Sequence, residues 1–168
     1  MTQKPVSDYV HHPRRDLPLD QHVDDPYLSR EKLTEPTVCP DCGAIFHKGH
    51  WQWGKAADGA VEHRCPACSR IHDKVPAGVL TLQGEFFNAH KSEIMHLIHN
   101  KESQEKAEHA LERIMSIEEQ QEPQQTVVNY TGVHLTRSTS QEIEKSYHGK
   151  LEVEFTDKDA VMHARWER

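Results

Sequence analysis

Apolar positions are spread unevenly along these 168 residues, and their spacing divides the chain into three. Between residues 85 and 101, Phe86, Phe87, His90, Ile94, Leu97 and Ile98 recur at the three-and-four spacing of one broad helical face. Charged residues follow, Glu102, Glu105, Lys106 and Glu108, before Leu111 and Ile114 return to the core. Residues 113–118 suit a helix end or a short strand, with strand preferred, and Glu122-Pro123-Gln124-Gln125 marks a turn into the β-rich Thr126-Val127-Val128-Asn129-Tyr130. A second amphipathic helix is predicted over residues 135–147, with Leu135, Ile143 and Tyr147 inward and Gly149 as its stop. The Ser138-Thr139-Ser140 run with Glu142 reads as a helix N-terminus. Leu151-Glu152-Val153-Glu154-Phe155 alternates, and after a turn at residues 157–159 Val161, His163 and Arg165 alternate with Met162, Ala164 and Trp166. The pattern predicts an α+β domain at 77–168, ordered α-ββ-α-ββ, with a small antiparallel sheet backed by helices.

Residues 1–36 show no such period. Pro5, Pro13, Pro18, Pro26 and Pro36 recur among Asp16, Asp20, Asp24, Asp25 and scattered single apolar residues. The segment reads as a disordered N-terminal tail, or as one that orders on a partner through Tyr9, Leu17, Leu19, Tyr27 and Leu28.

Between tail and domain, residues 37–76 carry all four cysteines, as Cys39-Pro40-Asp41-Cys42 and Cys65-Pro66-Ala67-Cys68. Short strands are expected on either side of each pair, including Ala44-Ile45-Phe46 after the first and Arg70-Ile71 after the second. Gly43 and Ser69 are small enough to let backbone amides turn back toward a thiolate. Two CxxC turns with 22 residues between the inner cysteines suit one tetrahedral Zn²⁺ with Zn–S bonds of about 2.3 Å. Four ligands leave no open position, so the implied zinc is structural. Two disulfides would need an oxidising compartment, and a redox CxxC is usually single and opens a helix in a βαβ setting. The segment reads as a zinc ribbon, stabilised largely by its metal.

Composition and charge narrow the function. Hydrophobic residues make up 35%, and the mean hydropathy of -0.83 is low for a chain packed throughout. No apolar run suits a signal peptide or a membrane span, so a soluble, cytoplasmic protein is expected. The formal charge of -7 argues against coating DNA by bulk electrostatics, and any nucleic-acid contact must be local. Residues 77–125 set Lys91, Lys101, Lys106 and Arg113 against nine acids, which makes the helical stretch a candidate dock for a basic protein partner. No P-loop, GxGxxG or GxSxG occurs, and no cysteine is left over as a nucleophile. The 14 histidines include His47, His50, His63 and His72 beside the cysteines and His96 and His99 on the first helix, without an HExxH or a third ligand at a telling spacing. The chain therefore reads as a non-enzyme.

One surface feature has positive content. The stretch from Phe46 to Lys55 interleaves aromatic with basic or titratable residues, and with Arg64 and Arg70 it supplies a candidate nucleic-acid set: Lys48, Trp51, Trp53, Lys55, Arg64 and Arg70. Aromatic faces stack on splayed bases while cations meet phosphates. Alternatively the tryptophans roof the zinc site or dock on the second domain.

With Cys39-Pro40-Asp41-Cys42-Gly43, Phe46-His47-Lys48-Gly49, Trp51, Cys65-Pro66-Ala67-Cys68, Arg70-Ile71 and Pro76-Ala77-Gly78, the chain resembles a small family of uncharacterised proteobacterial zinc-ribbon proteins. The stretch from Gly78 to Gly84, with Phe86, His90, Glu93 and Ile94, His134-Leu135-Thr136-Arg137 and Trp166, extends the resemblance over residues 37–168. The paired knuckles followed by an α+β segment are also distantly similar to the amino-terminal region of the archaeal and eukaryotic export adaptor of the large ribosomal subunit. That similarity implies binding to the ribosome or to structured RNA. The function expected is a non-catalytic zinc-ribbon adaptor for RNA or a ribonucleoprotein, or else a protein–protein module that docks through the acidic helix or the tail.

Overall fold

The computed structural model describes residues 25–28, 32–156 and 160–168. They form a mixed α+β fold of three helices and two mixed sheets. The anchors Tyr9, Leu17 and Leu19 lie outside the described residues, as does most of the expected tail.

The smaller sheet joins four short strands: β1 (Thr37–Val38), β2 (Ile45–His47), β3 (His50–Gln52) and β4 (Val61–Glu62), in the order β3-β2-β1-β4. Strand β1 pairs antiparallel with β2 and parallel with β4. Arg70-Ile71, expected as a strand, instead lies in helix α1 (Pro66–Asp73). The local chemistry explains the difference. Cys65 is the N-cap, its sulfur accepts the Cys68 N–H, and Pro66 occupies the first turn, where its fixed φ suits a helix start. Lys74, left-handed at φ 59°, ends the helix.

The larger sheet holds β5 (Gly78–Gln83), β6 (Ile114–Gln121), β7 (Gln124–Tyr130), β8 (Lys150–Thr156) and β9 (Val161–Glu167), in the order β6-β7-β5-β9-β8. Helix α2 (Glu85–Glu108) follows β5, and α3 (Val133–Tyr147) follows β7. Two features correct the expected α-ββ-α-ββ antiparallel sheet. A further strand, β5, precedes the first helix and occupies the centre of the sheet. The β8–β9 hairpin then returns β9 alongside β5 in parallel, so the sheet is mixed. Within β5, Gly78, Leu80 and Leu82 are buried and Val79, Thr81 and Gln83 half-buried, the period of two for a strand with one covered face.

The helices cover that face. Leu80, Leu82, Phe87, Ile94, Ile98, Val128, Tyr130, Leu135, Ile143 and Trp166 form one core, each large apolar side chain contributing about 1.5–3 kcal/mol by leaving water. The Ser138-Thr139-Ser140 run is not a helix start. Helix α3 begins earlier, and its small Thr136, Thr139 and Ser140 are buried, which lets the helix lie close to the sheet. At Gly78 a Cβ would stand 1.9 Å from Thr136 Oγ1. On the uncovered face, cross-strand rows such as Thr81–Arg165–Glu152 and Val79–His163–Glu154 leave a polar surface.

Candidate metal centre

Each cysteine pair sits where the backbone must turn. At the first, Gly43 adopts φ 77° and its N–H donates to Cys39 O at 2.9 Å, while Cys39 N–H donates to Ala44 O at 2.8 Å. At the second, the start of α1 aims amides at sulfur, with Cys68 N 3.4 Å from Cys65 Sγ. The pairs also join directly, since Cys65 N–H donates to Cys39 Sγ at 3.3 Å.

All four Sγ atoms lie within 4.8 Å of one another, and Cys42 and Cys65 are 3.8 Å apart. A tetrahedron with metal–sulfur bonds of about 2.3 Å has edges of about 3.8 Å. A disulfide would need about 2.05 Å, and the four cysteines are free. Cys39, Cys65 and Cys68 are buried and Cys42 half-buried. The donor set fits one thiophilic cation. Among the described residues, it is the only group of three or more His, Cys, Asp or Glu side chains whose ligand atoms converge in this way.

The thiols differ in readiness to ionise. Burial opposes ionisation of Cys39, but the amides of Cys65, Cys42 and Asp41 outweigh it and bring its pKa down to about 7. Burial pushes Cys65 well above the usual thiol range, and the neighbouring cysteines add to the shift. Burial also raises Cys68, against the opposing pull of Arg113.

Arg113 is the residue that sequence reasoning missed. Its guanidinium donates to Cys42 Sγ at 3.3 Å, Cys68 Sγ at 3.4 Å and, more loosely, Cys65 Sγ at 3.6 Å. It arrives from the α2–β6 connection, only 7% exposed, with Nε bonded to Ala110 O at 2.8 Å. Burial works against its charge, but the sulfurs more than compensate and hold its pKa above the ordinary arginine value. No local motif marks it.

The candidate nucleic-acid residues separate into two groups. Trp51 packs on the cysteine cluster, edge-on to Phe46 at 5.6 Å. Trp53 donates its indole N–H to Lys106 O at 2.6 Å, capping a carbonyl near the end of α2, and Arg113 lies 5.5 Å from its ring centroid. Both tryptophans therefore make internal contacts, Trp51 half-buried and Trp53 still 37% exposed. Arg70 leaves the exposed set altogether: it is 4% exposed, bonded to Asp25 Oδ1 at 2.6 Å and Val75 O at 3.2 Å, with the Tyr27 ring 4.4 Å from its guanidinium. Tyr27 in turn donates its hydroxyl to Asp73 at 3.0 Å, so residues 25–28, expected within the tail, pack against α1.

Arg64 is exposed but paired with Asp41. Lys48 and Lys55 are exposed, and Glu35 holds the Lys48 turn by accepting its N–H at 3.1 Å and that of Gly49 at 3.2 Å. His47, His50 and His63 are exposed on the same unit, and His96 and His99 on α2.

Among the described residues, no helix is long and apolar enough to cross a membrane. Comparison of the chain with protein-family models, with curated proteins and with solved structures gave no match.

Proposed function

We propose that the protein is a non-catalytic zinc-ribbon adaptor. Its four cysteines hold one structural Zn²⁺, and the metal-bound unit contacts RNA, or a ribonucleoprotein such as the ribosome, through its cationic rim. The observation that carries the reading is the closure of the sulfur site: four convergent ligands, three of them buried, with Arg113 against three of the sulfurs. Such a site has no coordination position for a substrate, which supports a structural metal over a catalytic one. Free thiols of this kind suit a reducing compartment such as the cytoplasm.

The partner reading rests on Lys48 and Lys55, exposed and without a carboxylate partner among the described residues, beside His47, His50 and His63. Trp51 packs on the cysteine cluster and the Trp53 indole N–H is engaged by Lys106 O, so contact through phosphates is favoured over base stacking. A Lys48→Ala/Lys55→Ala double variant should weaken RNA binding and flatten its salt dependence by up to about one counterion per lysine. Unchanged affinity in a zinc-loaded double variant, or no RNA binding by the wild type at low salt, would remove RNA as the partner.

One observation favours a second reading, in which the partner is a protein. A cleft of about 710 Å³ runs beside the cysteine unit, lined by Tyr27, Leu28, Phe46, Trp51 and Leu111 together with polar residues that include Arg64 and Asp73. The apolar part of that lining suits a protein side chain, with polar groups beside it to orient the contact. Capture from lysate with and without RNase separates the two readings, because only an RNA-mediated partner is lost on digestion.

A further inference from the structure

The contact made by Arg113 reaches beyond the sulfur site. A guanidinium at 7% exposure ordinarily has a carboxylate counter-ion, yet here its hydrogen bonds go to three sulfurs and the Ala110 carbonyl. Four thiolates around one Zn²⁺ carry a formal charge of about -2, and a buried arginine halves it without occupying a coordination position. The side chain is also fixed from behind. Arg113 N–H donates to Thr131 Oγ1 at 2.8 Å, Thr131 N–H donates to Arg113 O at 2.9 Å, and Thr131 Oγ1 donates to Leu111 O at 2.6 Å.

Its neighbours extend the link in both directions. Leu111 packs on the cysteine cluster together with Trp51. Glu112 accepts the Leu135 N–H at 2.9 Å, in the first turn of α3. Residues 110–113 thus connect the sulfur centre on one side to the start of α3 on the other.

We propose that Arg113 is the outer-sphere positioning residue of the metal centre, and that through it metal occupancy sets how firmly the cysteine-bearing unit docks on the larger sheet unit, as far as the first turn of α3. The inference rests on the reading of the four cysteines as metal ligands. With zinc bound, the anionic centre holds the guanidinium, and the 110–113 segment stays seated. With zinc removed, the sulfurs that the guanidinium spans are no longer drawn together, the segment loosens, and the Glu112 cap on Leu135 loosens with it.

The test uses the full chain with Zn²⁺ as the probe. Zinc transfer to a chromogenic chelator should be about ten- to a hundredfold faster from Arg113→Met than from wild type, the usual range for loss of an outer-sphere partner. Arg113→Lys should fall between them, because an ammonium keeps the charge but lacks the planar fork that spans several sulfurs. Amide exchange supplies a second readout. In wild type, removing zinc should raise exchange at Arg113 and Leu135 while Leu80 and Ile94 stay protected. Arg113→Met should show the raised exchange with zinc still bound.

Wild-type release rates from a folded Arg113→Met chain would overturn the role of Arg113 while leaving the metal reading intact. So would exchange at Leu135 that ignores zinc in wild type, a measurement that needs no variant to fold. A wild-type chain that takes up no zinc would instead overturn the metal reading itself.

Discussion

Gly132 and Glu112 offer a quantitative check on the link between the sulfur site and α3. Gly132 is the N-cap of α3 at φ -138°, ψ 142°, an extended conformation open to any residue, so alanine there suffers no backbone strain. The obstacle is Glu112. A Cβ at Gly132 would stand 2.0 Å from Glu112 Oε2 and 2.3 Å from Cδ and Oε1. Two outcomes are open to Gly132→Ala. The chain can keep the carboxylate and accept overpacking, at about 1–3 kcal/mol. Alternatively Glu112 swings out and Leu135 N–H loses its acceptor, a lost cap of about 0.5–2 kcal/mol. The cheaper route bounds the loss at about 2 kcal/mol. Glu112→Ala removes both the cap and the obstacle, so adding Gly132→Ala to it should cost only the poorer fit of alanine at an N-cap, under about 1 kcal/mol. The double variant should therefore lose less than the sum of the singles, by about 1 kcal/mol. Urea unfolding of the zinc-loaded chains, followed by far-UV circular dichroism at matched slopes, measures the cycle. Additivity within about 0.3 kcal/mol would show that the side chains do not compete for one space.

The remaining expectations concern the same packing. Burial raises the Glu112 pKa, against the Leu135 N–H and the charges of His134 and His109. A raised folded-state pKa means that folding favours the protonated carboxyl. Its stabilisation is complete below the ordinary carboxyl range and is lost as pH rises through the raised value, so the urea midpoint of Glu112→Gln relative to wild type should climb over that window and then level off. A constant gap would contradict it. Trp166 is fully buried with its indole N–H 2.6 Å from His148 O, so Trp166→Phe should cost about 1–3 kcal/mol in the same assay, and a loss under about 0.5 kcal/mol would refute the packing argument. Asp25→Ala leaves the buried Arg70 guanidinium without its partner and should destabilise by about 1–3 kcal/mol with RNA affinity unchanged; lost affinity at full stability would return Arg70 to the binding surface.

The convergence of the four cysteines was legible because two CxxC turns carry their spacing in the sequence whatever surrounds them. Helices α2 and α3 and the β8–β9 hairpin were legible because one-sided burial imposes periods of 3.6 and 2. Strand β5 was missed although Gly78, Leu80 and Leu82 alternate with Val79, Thr81 and Gln83. The period is there, but a six-residue run has few repeats, and nothing local says that β7 and β9 will flank it. The start of α1 did carry a signal: Pro66 after Cys65 is an N-terminal helix pattern, hidden by reading the cysteines only as a knuckle. Arg113 carried none. Its contacts span 45 residues to Cys68 and 71 to Cys42, and its own neighbourhood suggested an ordinary strand beginning. The contacts of Trp51 on the cysteine cluster and of Trp53 on α2 match the alternative that the sequence left open, but their partners Leu111 and Lys106 could not be named, since they come close only once the chain is packed.

Native mass spectrometry of the purified full chain tests the central claim most directly. Wild type should carry one Zn²⁺ per chain, and Cys65→Ser, which removes the sulfur that also caps α1, should lose it sharply. A metal-free wild type lighter by the four hydrogens of two disulfides, or a Cys65→Ser chain that keeps its full zinc, would contradict the account.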